Sequence, residues 1–241
     1  MDRLQLDKNA KLTGRVYFKD EVMWLGLSGS GASFTFDGTK LVLKLKGDNI
    51  AVGDNPIDYA RIAVYVDGKR VVDEMIDCAE KEITVIDRTE NAQSVVEIIK
   101  LSESPMSAVG VEAFAEGSAE ALPEKPLKIE FIGDSITCGY GVDDEDENHQ
   151  FTTATEDVTK AYAYKTAKAL DAEYSMFSAS GYGIISGYTE GDEPISEQTI
   201  PQFYCSYGFS RGNFAGTAPQ DIPWDFSKYI PQIIVINLGT N

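Results

Sequence analysis

The sequence contains a single histidine, His149, and only three cysteines, which lie far apart at Cys78, Cys138 and Cys205. None of these residues stands at the spacing of a metal-ligand motif, and three distant cysteines do not form a disulfide framework. We therefore predict no metal and no other cofactor. The thiols are expected to be reduced and mostly buried, as is usual in the cytoplasm.

Basic residues are also scarce, with 21 Lys and Arg against 39 Asp and Glu, for a net charge of −18. Such a field repels phosphate backbones and anionic lipids, so neither nucleic acid nor a membrane surface is an expected partner. No apolar run approaches the roughly 20 residues that a membrane span needs. The first residues lack the pattern of a signal peptide, which favours a cytoplasmic protein or a secreted one whose signal has been removed.

The first part of the chain, residues 1–117, has the pattern of an all-β domain. Short runs that alternate apolar and polar residues recur there, such as "GRVYF", "RIAVYVDGKRVV" and "SVVEIIKL". Two Asp-Gly pairs, Asp37-Gly38 and Asp67-Gly68, are the clearest candidates for hairpin turns. Seven or more strands at this spacing predict a β-sandwich of the jelly-roll type, with Trp24 in its core.

One run indicates which strand face points inward. In "KLVLKLKG" every second residue is a leucine, at Leu41, Leu43 and Leu45. These side chains share one face of a strand, while the opposite face carries two lysines. The run therefore predicts an antiparallel strand with one buried face and one face that is mostly wet.

Residues 118–126 are small and polar with two prolines, which predicts a linker. In residues 127–241 the pattern changes, because "LKIEFIG", "EYSMFSA" and "QIIVINLG" are mostly apolar strands of a covered sheet. Between them, "KAYAYKTAKAL" predicts a helix with Ala163, Ala167 and Leu170 on one face. This order indicates a parallel α/β domain. Because its third strand stands directly before Asn241, we expect the sheet to continue in a longer protein.

Glycines and polar residues follow each of the three predicted parallel strands. Ser135 lies in "GDSITCGYG", Gly181 lies in "SASGYG", and Asn241 ends "NLGTN". Because the carboxyl ends of parallel strands meet at one edge of the sheet, these groups are expected to converge. Together they supply a nucleophile and an oxyanion hole, the groups that acyl transfer needs. Taken alone, Ser135 or Asp134 would be interpreted as a helix cap.

These three segments, in this order and spacing, resemble blocks one, two and three of the SGNH, or GDSL, hydrolase superfamily. With the jelly-roll-like region before them, the whole chain resembles carbohydrate esterase family two. That family pairs a β-sandwich with a three-layer α/β SGNH domain of flavodoxin-like type. The resemblance implies a serine esterase that removes acetyl groups from sugars and plant polysaccharides such as xylan or mannan. The implied partner is an acetylated oligo- or polysaccharide.

The resemblance also implies roles for individual residues. Ser135 would be the nucleophile. The backbone amides of Ser135 and Gly181 and the side-chain amide of Asn241 would form the oxyanion hole, with Gly183 as the alternative block-two position. His149 lies in the acidic segment "DDEDENHQF" and not in an Asp-x-x-His context. We therefore expect the catalytic base beyond Asn241, and little turnover from the 241 residues alone.

Residues 204–226 form a long, aromatic, Gly-rich segment, and segments of that kind are usually functional or disordered. Five of its side chains could line a sugar cleft: Tyr204, Tyr207, Phe209, Arg211 and Trp224. Trp224 would fit a packed hydrophobic turn equally well. Together with Tyr182 of block two, Tyr207 and Trp224 are the predicted substrate contacts.

Two alternatives remain open at this stage. The chain could belong to a carbohydrate-binding protein whose α/β half is degenerate, which an Asp-x-x-His in the complete protein would argue against. It could also be an SGNH lipase, thioesterase or acyltransferase with a different acyl substrate. A comparison of acetyl with octanoyl aryl esters would separate these enzymes from an acetylesterase. The sequence does not indicate an oligomeric state.

Overall fold

The computed structural model describes all 241 residues. Its strands are β1 (Asp2–Leu4), β2 (Lys11–Thr13), β3 (Val16–Lys19), β4 (Val22–Leu25), β5 (Gly31–Gly47), β6 (Ala60–Val66), β7 (Lys69–Ile76), β8 (Glu80–Lys100), β9 (Val109–Ala121), β10 (Lys128–Gly133), β11 (Glu173–Ser178) and β12 (Ile233–Asn237). The α-helices are α1 (Leu6–Asn9), α2 (Ser135–Cys138), α3 (Tyr162–Ala169) and α4 (Ile200–Phe203). Single turns of 3-10 helix lie at Pro56–Asp58, Thr153–Thr155, Val158–Lys160, Pro219–Asp221 and Phe226–Lys228. No helix combines the length and the apolar character needed to cross a membrane.

The first nine strands form one antiparallel sheet, which confirms the all-β interpretation of the first part of the chain. The order is β3-β4-β9-β5-β8-β6-β7, with β1 paired to β9 and β2 paired to β5. The hydrogen bonding is continuous and is not divided between two separate sheets. This continuity arises because β5, β8 and β9 are long, with 17, 21 and 13 residues. A cluster of 24 buried residues forms the core of this domain.

The two Asp-Gly pairs have different roles. Asp67 and Gly68 connect β6 to β7, and their φ angles of 51° and 77° fit a two-residue type I′ turn, so this hairpin prediction is confirmed. Asp37 and Gly38 instead lie inside β5, so the other predicted hairpin is wrong. A Cβ atom added to Gly38 would lie 2.3 Å from the carbonyl oxygen of Glu116 on β9, which explains the glycine.

Strand β5 contains a bulge immediately after Gly38. Gly38 pairs with Gly117 of β9, and Lys40 pairs with the adjacent Glu116. Thr39 therefore has no partner on β9 and is the extra residue of the bulge. Because side chains alternate along a strand, one extra residue changes which positions face inward. The inward-facing positions have even numbers before the bulge and odd numbers after it. The five fully buried side chains that show this are Phe34, Phe36, Leu41, Leu43 and Leu45. The predicted inward face of the leucines is confirmed.

The last three strands form the predicted parallel sheet, in the order β11-β10-β12. Strands β10 and β11 are buried almost throughout. Strand β12 pairs on one side only, with β10, and its Ile233, Ile234 and Ile236 are 43%, 54% and 63% exposed. The covered third strand that the sequence predicts is therefore an exposed edge strand here.

The two domains pack directly against each other. Helix α3 buries Ala163 and Ala167, but Leu170 is exposed because the helix ends at Ala169, so the predicted third member of that face is wrong. The cluster under α3 also includes Ile99, near the end of β8, and Leu101, the first residue after it. Strand β9 continues to Ala121, so four residues of the predicted linker extend a strand of the antiparallel sheet.

Arg15, between β2 and β3, joins the two domains through a buried side chain. Its Nη1 donates hydrogen bonds to the carbonyl oxygens of Tyr204 at 2.6 Å and Ser206 at 2.5 Å, and its Nη2 lies 3.4 Å from Glu130 Oε1 on β10. The guanidinium lies 4.4 Å from the ring centroid of Phe177 on β11. Tyr204 completes the cluster by donating to Glu130 Oε2 at 2.5 Å. An arginine fork suits this arrangement because it donates in several fixed directions and stacks on aromatic rings.

Candidate active site

Ser135 lies two residues after the carboxyl end of β10, at the first residue of helix α2. The capping role belongs to Asp134, whose Oδ1 accepts a hydrogen bond from the N–H of Ile136 at 3.1 Å. Ser135 is half-buried, and its Oγ makes no hydrogen bond within the chain. As the first residue of a helix, it also has an N–H without a partner in a preceding turn. The hydroxyl and the amide of Ser135 are thus both available.

The turn after β11 brings a second backbone N–H to the same edge of the sheet. Gly181 has a φ angle of 77°, which favours glycine, and its carbonyl oxygen accepts a hydrogen bond from the N–H of Tyr188 at 2.8 Å. Its own N–H makes no hydrogen bond. The N–H of Gly183 is already donated to the carbonyl oxygen of Gln198 at 3.3 Å. Of the two predicted block-two positions, only Gly181 has a free N–H.

Asn241, after β12, brings the third strand end to the other two. Its Nδ2 donates hydrogen bonds to the carbonyl oxygen of Tyr182 at 3.2 Å and to Asp134 Oδ2 at 3.4 Å. One of these partners is next to Gly181 in the chain, and the other is next to Ser135. The convergence of the three strand ends is therefore confirmed. The arrangement places a free hydroxyl and potential oxyanion donors on neighbouring strand ends of one sheet.

Residues 12–126 match the profile of a protein family described as Carbohydrate esterase 2 N-terminal. The chain is related to carbohydrate esterase family two. The match covers most of the antiparallel domain, and the similarities described next extend through the α/β domain as well.

Known proteins of this kind are similar along nearly the whole chain. The chain is 31% identical over 217 residues to Cellulase/esterase CelE of Acetivibrio thermocellus, which covers 89% of this chain and 24% of that protein. It is 28% identical over 242 residues to an Acetylxylan esterase / glucomannan deacetylase of Cellvibrio japonicus, which covers 98% of this chain and 62% of that protein. A solved family two carbohydrate esterase from Clostridium thermocellum, in complex with cellohexaose, matches with a TM-score of 0.78 at 28% identity, covering 96% of this chain and 66% of that one.

The aromatic segment near these strand ends does not lie where the sequence predicts. Tyr207 is fully buried, and its hydroxyl donates to the carbonyl oxygen of Trp24 at 2.7 Å, because the segment folds back onto β4. The prediction that Tyr207 contacts substrate is therefore wrong. Trp24 is buried, but it packs against Tyr207 and Phe214 and not in the core of the antiparallel domain where the sequence predicts it. Trp224 is half-buried, with Arg15 5.2 Å from its ring centroid. For Trp224 and for the half-buried Tyr182, substrate contact stays a prediction.

An aromatic pair that the sequence analysis missed lies beside block one. Tyr140 stacks on Phe151 with ring centroids 4.5 Å apart and an interplanar angle of 14°. Tyr140 is 46% exposed, and it belongs to the same "GDSITCGYG" segment as Ser135. A tyrosine between two glycines is the sequence signal that could indicate an exposed aromatic side chain here. The pair itself is not visible in the sequence, because Phe151 lies eleven residues further along the chain. In the same loop region, His149 is 62% exposed and its Nδ1 lies 2.7 Å from Asp144 Oδ1.

A second missed group is a pair of fully buried glutamates, Glu103 and Glu156. Glu156 Oε2 accepts a hydrogen bond from the N–H of Glu103 at 2.9 Å, while Oε1 of each carboxyl group lacks a partner. Burial, together with the negative charge of Glu103, raises the pKa of Glu156 well above its ordinary value. A proton on Glu156 supplies the donor that the two unpaired oxygens otherwise lack.

Lys100 balances the remaining charge of this pair. It is fully buried, and its Nζ donates to the carbonyl oxygens of Ser102 at 2.7 Å and Glu103 at 2.9 Å. Burial lowers the pKa of Lys100 to about 8. The thiol of Cys138 joins the two carboxyl groups within 4.8 Å, a donor set that a metal ion can use. Lys100 already supplies a positive charge there, so the residues fit a proton-sharing pair better than a cation site.

Replacing Glu156 by glutamine tests the buried proton. In the unfolded chain Glu156 ionises near its ordinary pKa of 4.5, but the folded protein holds the proton to higher pH. Its contribution to stability is therefore fully present below pH 4.5 and is lost as the pH rises towards the raised pKa. Glutamine keeps the shape without a proton to lose. As the pH rises from 4.5 to neutral we therefore expect Glu156→Gln to gain stability relative to the wild type, which loses the contribution of the buried proton over this range.

Urea unfolding of both proteins at the two pH values measures this gain. Glu145→Gln changes an exposed carboxylate in the acidic loop and should keep the pH dependence of the wild type. Parallel pH profiles for Glu156→Gln and the wild type would show that Glu156 carries no buried proton.

Proposed function

We propose that the protein is a serine esterase that removes O-acetyl groups from plant-type carbohydrate through an acetyl-enzyme at Ser135. The observation that carries the proposal is the contact of the Asn241 side chain with Asp134 and with the carbonyl oxygen of Tyr182, the chain neighbours of Ser135 and Gly181. The names of the Cellvibrio japonicus relative, acetylxylan esterase and glucomannan deacetylase, support the same substrate class. The α/β domain would then be the SGNH hydrolase domain.

In this mechanism Ser135 Oγ attacks the acetyl carbonyl carbon, and the carbonyl oxygen takes up the negative charge. The free N–H groups of Ser135 and Gly181 donate hydrogen bonds to that oxygen. Asn241 Nδ2 becomes the third donor by releasing Asp134, the longer of its two contacts at 3.4 Å. The sugar hydroxyl leaves with the proton that the base has taken from Ser135. A water molecule, deprotonated by the same base, then releases acetate and restores Ser135.

We place the general base in a segment outside the 241 residues. His149 is a poor candidate because it lies in an exposed acidic loop and is hydrogen-bonded to Asp144. The exposed isoleucines of β12 support a further segment that packs on this sheet, since apolar strands of parallel sheets are normally covered. The chain also spans 62% of the Cellvibrio japonicus relative, which leaves room for such a segment.

Binding of carbohydrate without turnover is the second candidate. The stack of the exposed Tyr140 on the half-buried Phe151 favours it, because a flat aromatic surface can pack against the apolar face of a sugar ring. The net charge of −18 is also compatible with a neutral ligand. Binding of a xylo- or cello-oligosaccharide by a full-length protein that releases no acetate would select this function.

The oxyanion hole is tested by Asn241→Ala in the full-length protein. Removing one oxyanion donor costs roughly 100- to 1000-fold in kcat in other acyl-transfer enzymes, so we expect a loss of that size with little change in KM. Acetate release from an acetylated xylo-oligosaccharide measures both constants. Thr240→Ala changes the exposed neighbour and should behave like the wild type. An unchanged kcat for Asn241→Ala would remove Asn241 from the mechanism.

A further inference from the structure

Glu103 belongs to the connection that follows β8 in the antiparallel domain, yet its carboxylate contacts the α/β domain. All residues from Leu101 to Ala108 are buried, and Glu103 has no exposed surface. The connection therefore lies between the two domains. A buried carboxylate is costly unless its oxygens find partners, so the partners of Glu103 indicate what it does there.

Glu103 Oε2 contacts two groups, and both belong to the segments that carry the proposed nucleophile and oxyanion donor. The N–H of Ser180 donates to this oxygen at 2.5 Å, and the thiol of Cys138 lies 3.8 Å from it. Ser180 directly precedes Gly181, and Cys138 is the last residue of the helix that starts at Ser135. One oxygen atom from the antiparallel domain thus connects blocks one and two.

The hydrogen bond to Ser180 restrains the backbone one peptide before the free N–H of Gly181. A charged acceptor makes a strong hydrogen bond with an amide. An oxygen of the Glu103 carboxyl group also lies within 4.8 Å of an oxygen of Glu156. A bare negative charge so close to an oxyanion hole would oppose the charge that develops there. The positive charge of Lys100 and the proton on Glu156 weaken the electrostatic repulsion between the cluster and the oxyanion. The cluster therefore anchors the loop at little electrostatic cost.

We infer that Glu103 is a positioning residue, supplied by the antiparallel domain, that holds the Ser180 amide so that the N–H of Gly181 points into the oxyanion hole. The inference rests on the proposed esterase function for its catalytic consequence. Glu103 itself does not touch the reacting atoms. The antiparallel domain is then part of the catalytic apparatus, in addition to any contact that it makes with carbohydrate.

Glu103→Ala in the full-length protein removes the acceptor. We expect kcat for acetate release to fall about 10- to 100-fold, since a misplacement of about 1 Å can cost that much, while KM changes less than about threefold. Glu103→Gln keeps an acceptor oxygen for Ser180 and should recover most of kcat. A loss of activity through unfolding alone would not show this rescue together with the split between kcat and KM.

Amide hydrogen exchange gives a readout that needs no activity. The N–H of Ser180 should exchange at least about tenfold faster in Glu103→Ala than in the wild type, because it loses its acceptor. Asp48→Asn is the matched control. Asp48 is also buried, but it accepts its hydrogen bonds within the antiparallel domain, from Ile50, Ala51, Ser107 and Ala108. It should leave both kcat and the exchange at Ser180 unchanged.

The outcomes separate this inference from the proposed function. An active wild type with an unchanged kcat in Glu103→Ala overturns the inference and leaves the esterase intact. A wild type without esterase activity overturns the proposed function. In that case faster exchange at Ser180 in Glu103→Ala alone still supports the anchoring role, and unchanged exchange refutes it.

Discussion

The Ser135→Ala variant of the full-length protein is expected to release acetate at least about 10⁴-fold more slowly than the wild type, because no other group in the site can form the acetyl intermediate. The side chain is half-buried and its Oγ makes no hydrogen bond, so its loss should leave the free energy of unfolding nearly unchanged. Acetate release from an acetylated xylo-oligosaccharide measures the rate. Binding of the same oligosaccharide, which should persist, shows that the site still forms.

Ser196→Ala is a suitable control, because it removes an exposed hydroxyl from the loop after block two. It should match the wild type in rate and stability. Full activity in Ser135→Ala would eliminate the acetyl-serine mechanism. A lost rate accompanied by lost binding would instead point to damage to the site, which a measurement of thermal unfolding detects.

Arg15→Ala is expected to have the largest effect on stability, lowering the free energy of unfolding by about 3–5 kcal/mol, as is typical when one partner of a buried ion pair is removed. The change leaves Glu130, whose side chain is 6% exposed, without its cation. It also removes the donor from the carbonyl oxygens of Tyr204 and Ser206. The aromatic rings around the guanidinium would then border a cavity.

Urea unfolding of the variant and the wild type measures this loss. Arg15→Lys should lie between them, because an ammonium keeps the charge but not the fork of donors. Arg211→Ala is the matched control, since Arg211 is 64% exposed and 3.8 Å from Asp58, and such surface pairs contribute about 1 kcal/mol or less. An Arg15→Ala protein as stable as Arg211→Ala would show that the domains do not depend on this contact.

The sequence was sufficient for those features that depend on local pattern. Ser135, Gly181 and Asn241 were predicted to meet because each follows an apolar strand, and parallel strands end at one edge. The hairpin at Asp67-Gly68 was found in the same way. The identical signal at Asp37-Gly38 fails, because the two glycines meet different needs: Gly68 adopts the positive φ angle of a turn, whereas Gly38 allows the backbone of β9 to approach closely. Only the pairing partners of the strand distinguish the two cases.

The features that were missed depend on contacts between distant parts of the chain. Glu103 looks like an ordinary surface glutamate in "LSESPMSA", and only the packing of the two domains buries it against Ser180. The aromatic composition of its segment predicts that Tyr207 lines a cleft, but the segment folds back onto Trp24. Composition shows that such side chains need partners, and it does not show which ones they find.

The bulge at Thr39 also limits how the length of β5 can vary. The core positions have even numbers before it and odd numbers after it, and every core residue opposite them on β9 has an odd number. Adding or removing one residue elsewhere in β5 would turn either the phenylalanines or the leucines towards solvent. Adding or removing two residues would keep both sets inside. Length variation in this strand is therefore expected in even steps.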